Sequence, residues 1–174
     1  SALSFLNQRE QAVAIGKLGH DVFRRFDEIG IPTFAFINGL ALGGGLEIGL
    51  HCKYRTLATT AFTALPEVFL GLVPGWGGAT ILPKLIGPER AVQVIIANAL
   101  NNNTMMKSKD ALALGVVDAV FEPADFLEKS VSFAAKILSG AAKIERKDYS
   151  TDPSWDAALA GGRAIALKKF GGAE

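Results

Sequence analysis

Apolar positions recur at helical spacing near the start of the chain. Across residues 5–28 they are Leu6, Val13, Leu18, Val22 and Phe26, and Ile29 directly after this range continues the spacing. Residues three or four positions apart lie on one face of a helix, so this stretch predicts an amphipathic helix. Gly30 and Pro32 follow it, and both residue types are typical of helix ends, so we expect the helix to stop near Gly30.

Further along, short β-prone runs alternate with helical stretches. The predicted strands lie at residues 33–37, 54–58, 60–65 and 116–121. The predicted helices lie at residues 45–52, 77–86, 89–98, 108–114, 125–138 and 154–169. Ser108 is the expected N-cap of one helix, and Asp125 with Glu128 resembles a capping box for the next. Strands that alternate with helices predict an α/β fold with parallel strand pairing.

Composition and charge narrow the class of protein. Of 174 residues 49% are hydrophobic and 20% are charged, with a formal net charge of +1. Lys and Arg are dispersed, so we predict no nucleic-acid-binding surface. The longest uncharged run, residues 30–46, contains a proline and five glycines and would make a poor membrane span. We expect a cytoplasmic protein with no membrane partner, since no signal peptide is evident and the single Cys52 suits a reducing compartment.

Three consecutive glycines, Gly43 to Gly45, stand between a strand and a helix that carries Glu47. One explanation is that they let the helix pack tightly on the strand. A second is phosphate binding at a helix start, but the spacing G-x-G-x-x-x-G differs from the dinucleotide fingerprint. A third is an oxyanion hole, in which bare backbone aims an N–H at a developing negative oxygen.

A second acid follows in a loop rich in glycine and proline, residues 66–78. Glu67 lies at the start of this loop, and Glu47 sits one turn into the preceding helix among apolar neighbours. Two carboxylates near one oxyanion donor suggest proton transfer beside a stabilised enolate. A purely structural Glu67 is an alternative for that residue taken alone.

Three segments resemble the crotonase superfamily of enoyl-CoA hydratases and isomerases. They are "PTFAFINGLALGGGLEIGLHCKYR", "ALPEVFLGLVPGWGGATILPKLIGPERA" and "SKDALALGVVDAVFEP". Their order and spacing match the family over about residues 31–139. The resemblance implies a fold of repeated ββα units that binds acyl-CoA thioesters and assembles as a homotrimer or a dimer of trimers.

The resemblance also assigns catalytic roles. Gly44 is expected to donate a backbone N–H to the thioester oxygen, and Gly75 to lie beside the catalytic water. Glu47 and Glu67 match the two glutamates that hold this water. By the family pattern Glu47 is the base toward water and Glu67 donates a proton to the α-carbon.

Apolar residues close to these acids are candidates to bind the acyl group. They are Leu65, Val68, Leu72 and Trp76. Loop packing is the alternative for Trp76, and membership of the core is the alternative for the three aliphatic residues. CoA enters only as part of the substrate, so we expect no separate cofactor. We also predict no metal site, because His51 and Cys52 have no recognised ligand spacing and helix packing accounts for His51.

The family domain is longer than the match, so residues 1–139 are expected to form a crotonase-like catalytic domain that lacks its N-terminal part. Residues 140–174 are expected to be a helical tail or linker. Their last stretch resembles the segment that leads toward a 3-hydroxyacyl-CoA dehydrogenase in multifunctional fatty-oxidation proteins, so such a fused or associated partner is expected. The predicted function is enoyl-CoA hydration in β-oxidation, with the chain as given expected to be incomplete for activity. Double-bond isomerisation and a non-catalytic acyl-CoA-binding role are the alternatives.

Overall fold

The strands of the chain divide between two small sheets. The computed structural model describes residues 9–170. Within that range the strands are β1 (Phe34–Ile37), β2 (Leu40–Leu42), β3 (Tyr54–Ala58), β4 (Phe62–Ala64), β5 (Met106–Lys107) and β6 (Ala119–Phe121). One sheet has the order β1-β3-β6 and the other has the order β2-β4-β5.

Parallel pairing relates two successive β-β-α units. β1 pairs with β3, with Phe34 opposite Tyr54, and β2 pairs with β4, with Leu40 opposite Phe62. Each strand pair leads into a helix, α2 after β2 and α3 after the loop that follows β4. The first strands of both units therefore share one sheet and the second strands share the other. This confirms the predicted mixed α/β fold, with one departure, since β4 and β5 run antiparallel.

Helices surround these sheets. In chain order they are α1 (Arg9–Glu28), α2 (Gly44–His51), α3 (Gly78–Ile86), α4 (Pro88–Val92), a π-helical turn (Gln93–Ala97), α5 (Asn98–Leu100), α6 (Ser108–Leu114), α7 (Phe126–Leu138) and α8 (Trp155–Phe170). The prediction for residues 5–28 is confirmed from Arg9 onward, and its first four residues lie outside the described range. None of the helices between residues 9 and 170 combines the length and the apolar character that crossing a bilayer requires.

The core lies where α2, β3 and α3 meet. Leu46, Leu57 and Leu82, one from each element, are completely buried. Burying a leucine side chain stabilises a fold by about 2 kcal/mol. Arg55 of β3 is buried as well, and its Nε donates to the Val116 carbonyl at 2.8 Å. Burial lowers the pKa of Arg55 to about 10, which leaves the guanidinium charged at neutral pH.

The C-terminal helix packs on the helices that follow the second unit. A β-carbon placed at Gly162 of α8 would lie 3.0 Å from Ile96 Cδ1 and 3.2 Å from Val92 Cγ1. Ala158, one turn earlier, is buried. The helix predicted at residues 154–169 is thus confirmed, and it lies against α4 and the π-helical turn.

Two strands and two helix caps differ from the sequence-based predictions. β2 and β5 were not predicted, because runs of three and two residues are too short to show an alternation. Ser108 is not a cap: it is the first residue of α6, and its hydroxyl donates to the Thr59 carbonyl at 2.9 Å. Asp125 occupies the N-cap position of α7 but makes no side-chain cap hydrogen bond, and its Oδ2 pairs with Lys129 Nζ at 2.7 Å.

Candidate active site

Glu47 is held between α2 and the loop before α3. It lies in the first turn of α2 and is only 3% exposed. Its Oε1 accepts hydrogen bonds from the backbone N–H groups of Trp76, at 2.8 Å, and Gly78, at 2.9 Å. A buried carboxylate without partners would be costly, and these two donors compensate that cost and fix its orientation.

Glu67 approaches the same helix start from the second unit. The backbone N–H of Gly43 donates to the Ala64 carbonyl at 2.9 Å, which continues the pairing of β2 with β4. Pro66 then leads into a 3₁₀ turn, Glu67–Leu70. As a result a β-carbon built at Gly43 would lie only 2.7 Å from Glu67 Oε1, and Gly43 also has a φ of +53°. A side chain at position 43 would therefore displace Glu67.

The two oxygens of Glu67 have different surroundings. Oε1 faces Gly43, whereas Oε2 is buried and has no hydrogen-bond partner among the described residues. Burial raises the pKa of the Glu67 carboxyl, and the nearby negative charge of Glu47 raises it further. The carboxyl therefore keeps its proton to a higher pH than an exposed glutamate does, as a general acid requires.

Gly44 is the first residue of α2, so its N–H belongs to the turn that has no intrahelical acceptors. A β-carbon at this position would lie 3.2 Å from two ring carbons of Trp76. The bare backbone thus allows the indole to approach the helix start, where the helix dipole favours negative charge.

One cavity of about 380 Å³ collects most of the residues singled out from the sequence. It is lined by Gly16, Gly44, Glu47, Glu67, Leu72, Val73, Gly75 and Trp76. The structure thus brings both acids, both expected backbone positions and two expected pocket residues to one place. Leu65 and Val68 do not line it. Leu65 is 1% exposed and belongs to the core, and Val68 is half-buried on the 3₁₀ turn.

Sequence reasoning missed two lining residues. Gly16 comes from α1, and it contacts the site because its carbonyl accepts the indole N–H of Trp76 at 3.1 Å. Nothing in the amphipathic pattern of residues 5–28 singles out a glycine on that helix. Val73 belongs to the predicted loop, where its apolar type was the available signal.

His51 makes more than helix-packing contacts. Its Nδ1 lies 2.6 Å from Asp27 Oδ2 and its Nε2 lies 2.7 Å from the Trp76 carbonyl oxygen. Residues 9–170 contain no group of three or more His, Cys, Asp or Glu side chains arranged to hold a metal ion.

Known proteins that are similar to this chain indicate its family. The family described as "Enoyl-CoA hydratase/isomerase" matches residues 4–167. The fatty acid oxidation complex subunit alpha of Colwellia psychrerythraea strain 34H is 42% identical over 138 residues, which cover 79% of this chain and 18% of that protein. The protein of the same name from Pseudomonas putida strain F1 is 41% identical over 126 residues, covering 72% of this chain and 17% of that protein. The chain therefore spans less than a fifth of the length of these curated relatives.

Solved structures show the same fold. The enoyl-CoA hydratase from Bacillus anthracis superposes with a TM-score of 0.67 at 26% identity, over 94% of this chain and 62% of that one. DspI from Pseudomonas aeruginosa gives a TM-score of 0.67 at 25% identity, over 94% of this chain and 67% of that one.

Proposed function

Since this chain belongs to the enoyl-CoA hydratase/isomerase family, we propose that it carries the catalytic site of an enoyl-CoA hydratase of fatty acid oxidation. The reaction adds water to a 2-enoyl-CoA thioester and yields a 3-hydroxyacyl-CoA. The observation that carries the proposal is the presence of both Glu47 and Glu67 on one cavity beside the start of α2. A hydratase needs one group to take a proton from water and another to deliver a proton to carbon, and two acids in different surroundings meet that need.

The proposed mechanism begins at the thioester carbonyl. The N–H of Gly44 donates to the carbonyl oxygen, where negative charge builds up as water attacks the β-carbon. A preorganised donor of this kind lowers the barrier by about 3–4 kcal/mol. The dipole of α2 acts in the same direction.

Proton transfers complete the addition. Glu47 accepts a proton from the attacking water, whose oxygen bonds to the β-carbon. Glu67 gives its proton to the α-carbon of the enolate, which restores the carbonyl. The raised pKa of the Glu67 carboxyl supports its role as the acid, and its unpaired buried Oε2 supports contact with water or substrate.

Leu72, Val73 and Trp76 supply the apolar part of the cavity wall, and we propose that they contact the acyl chain. CoA is needed only as part of the substrate in this scheme. The relatives' name, subunit alpha of a fatty acid oxidation complex, supports a place in a larger fatty-oxidation assembly. We propose that a 3-hydroxyacyl-CoA dehydrogenase, fused or associated, consumes the product, and that the hydratase unit assembles as a homotrimer.

The test follows conversion of crotonyl-CoA by the native full-length protein in water enriched in oxygen-18. Hydration puts the heavy oxygen into the product, and Glu67→Gln is expected to lower kcat by about 100- to 10,000-fold while acyl-CoA still binds. The matched control is Glu89→Gln. Glu89 is an exposed glutamate on α4 and does not line the cavity. A double-bond shift from a 3-enoyl-CoA without oxygen incorporation would instead establish an isomerase. Binding without conversion would establish an acyl-CoA-binding module.

A further inference from the structure

The His51 side chain connects α1 to the loop that carries Trp76. It is 3% exposed, although it follows Glu47 by only one helical turn. On one side Nδ1 meets Asp27 Oδ2 of α1 at 2.6 Å, and on the other Nε2 meets the Trp76 carbonyl oxygen at 2.7 Å. The edge of the Phe23 ring also packs on the imidazole, with centroids 6.0 Å apart.

Both partners of the imidazole are acceptors. A backbone carbonyl can only accept a hydrogen bond, and so can an ionised carboxylate. We infer that each ring nitrogen donates a hydrogen bond, Nδ1 to the Asp27 carboxylate and Nε2 to the Trp76 carbonyl. The contact between His51 and Asp27 is buried on the histidine side and half-exposed on the aspartate side.

Among the charged residues around His51, Asp27 is the acid whose carboxylate contacts the imidazole. The open pocket beside His51 is also lined by the cationic residues Lys53, Arg55 and Arg146, and Asp27 is the acid among its described lining residues. Asp118 pairs with Arg146 at 2.7 Å and lies 4.0 Å from Arg55, whereas Asp27 Oδ2 lies 2.6 Å from His51 Nδ1 and holds the imidazole in place. Removing Asp27 is therefore expected to weaken the hydrogen bond from Nε2 to the Trp76 carbonyl.

The backbone of the loop at Gly77 packs so closely against His51 that a side chain would not fit between them. A β-carbon at Gly77 would lie 2.6 Å from His51 Nε2, and Gly77 has a φ of +134°, where side chains are strained. Trp76 is fixed at three points: its N–H donates to Glu47, its carbonyl accepts from His51, and its indole N–H donates to Gly16.

Glu47 and His51 are four residues apart and so lie on one face of α2, where both contact Trp76. We propose that His51, held by Asp27, is a positioning residue that fixes the Trp76 loop so that Glu47 and the Gly75 backbone face the reacting carbons. The inference rests on the proposed function, because Glu47 is taken as the base. His51 does not line the cavity and acts through the loop.

Three substitutions separate the hydrogen bond from packing. In His51→Gln the amide nitrogen takes the place of Nε2 and can donate to the Trp76 carbonyl. In His51→Asn the amide takes the place of Nδ1 and reaches Asp27 alone, whereas His51→Leu keeps volume without a donor. We expect kcat to fall about 100-fold in the Leu and Asn variants, with KM nearly unchanged, because a displacement of the loop by about 1 Å costs that much. We expect His51→Gln to recover at least tenfold of this loss.

A second pair of variants tests the role of Asp27. Asp27→Ala is expected to lower kcat about tenfold, and Asp21→Ala, an exposed aspartate on the same helix, is expected to leave it unchanged. Ring-nitrogen NMR, with His51→Gln to assign the signals of that ring by their loss, measures the protonation of both His51 nitrogens. Both His51 nitrogens should carry protons, and a ring with one bare nitrogen would overturn the two-donor arrangement.

Amide hydrogen exchange distinguishes failure of this inference from failure of the proposed function. The N–H groups of Trp76 and Gly78 should exchange at least tenfold faster in His51→Leu than in the wild type, whatever reaction the protein catalyses. If the wild type hydrates no enoyl-CoA but exchange still responds in this way, the proposed function fails and the loop anchor stands. Equal kcat in the Gln and Asn variants, or unchanged amide exchange in the Leu variant, would overturn the inference.

Discussion

The Glu47 carboxylate and the Trp76 backbone hold each other: Oε1 accepts the Trp76 N–H at 2.8 Å, and the indole of the same residue lines the cavity that Glu47 faces. One contact therefore fixes an acid on α2 and a wall of the cavity on the following loop. Gly78 donates to the same oxygen at 2.9 Å, so the first turn of α3 is tied to it as well.

Substitutions of Glu47 should separate structure from activity. In Glu47→Gln the side-chain carbonyl can still accept both N–H groups, so we expect stability close to the wild type and a loss of kcat by about 100-fold or more. In Glu47→Ala the N–H groups of Trp76 and Gly78 lose their acceptor. Besides the loss of kcat, this variant should have a free energy of unfolding lower by about 2 kcal/mol. Urea unfolding followed alongside hydration assays measures the two effects. Equal loss of stability in both variants would contradict this account of the hydrogen bonds.

The single thiol offers a probe of the fold around α2. Cys52 is 7% exposed, and burial raises the pKa of its thiol. Since the thiolate is the reactive form, we expect alkylation of the native protein to be slower than that of the urea-unfolded chain by at least about 100-fold. Mass spectrometry of the peptide that contains Cys52 measures the extent of labelling at this residue. Rapid labelling under native conditions would mean that the end of α2 opens readily.

Neighbouring glycines should respond differently to the same change. Gly43→Ala places a methyl group 2.7 Å from Glu67 Oε1 at a φ of +53°, so it should cost about 1–3 kcal/mol of stability and displace the acid. Gly45→Ala is the matched control, since Gly45 is exposed and has open space around its β-carbon position. We expect the first variant to lose at least tenfold in kcat and the second to keep nearly all of it. Thermal unfolding and hydration assays on both variants test this, and equal losses would show that the cluster is needed only for helix packing.

The sequence was most informative where function depends on spacing within one element. Gly44 and Glu47 lie three residues apart in α2, so a helix alone brings them to the same end. The proximity of Glu67 to the start of α2 depends instead on the parallel register of β2 and β4, which places the Ala64 carbonyl against the Gly43 N–H. The three glycines indicate a helix that begins without side chains. No local pattern predicts the register between strands as short as β2 and β4, so the position of Glu67 could not be predicted in the same way.

Residues that depend on packing between distant elements were harder to place. Asp27 reaches His51 because of where α1 crosses α2, and the amphipathic pattern of α1 indicates a face without naming its partner. The two alternatives left open for Leu65, cavity wall or core, have a similar origin. Leu65 lies two residues before the 3₁₀ turn and belongs to the core, whereas Leu72 lies beyond the turn and lines the cavity, and apolar type does not distinguish the two.

Glu67 should make the protein less stable as pH rises. Its carboxyl has a raised pKa in the folded protein, chiefly through burial, relative to an ordinary value of 4.5. Between these two values the folded state binds more protons than the unfolded state, so the free energy of unfolding falls with increasing pH. Glu67→Gln cannot titrate, and we expect it to remove this part of the decline, so that the variant is at least as stable as the wild type near neutrality although it has lost activity.

Urea unfolding over a pH series, from the ordinary glutamate range to above neutrality, measures this difference for the wild type, Glu67→Gln and the exposed control Glu89→Gln. The control should follow the wild type throughout. The difference between wild type and Glu67→Gln should grow as pH rises through the window and then level off, because above the folded pKa both states of the wild type have lost the proton. A difference that is independent of pH would mean that Glu67 is ionised as readily in the cavity as in the unfolded chain. In that case Glu67 would lack the property that suits it to deliver a proton to the substrate.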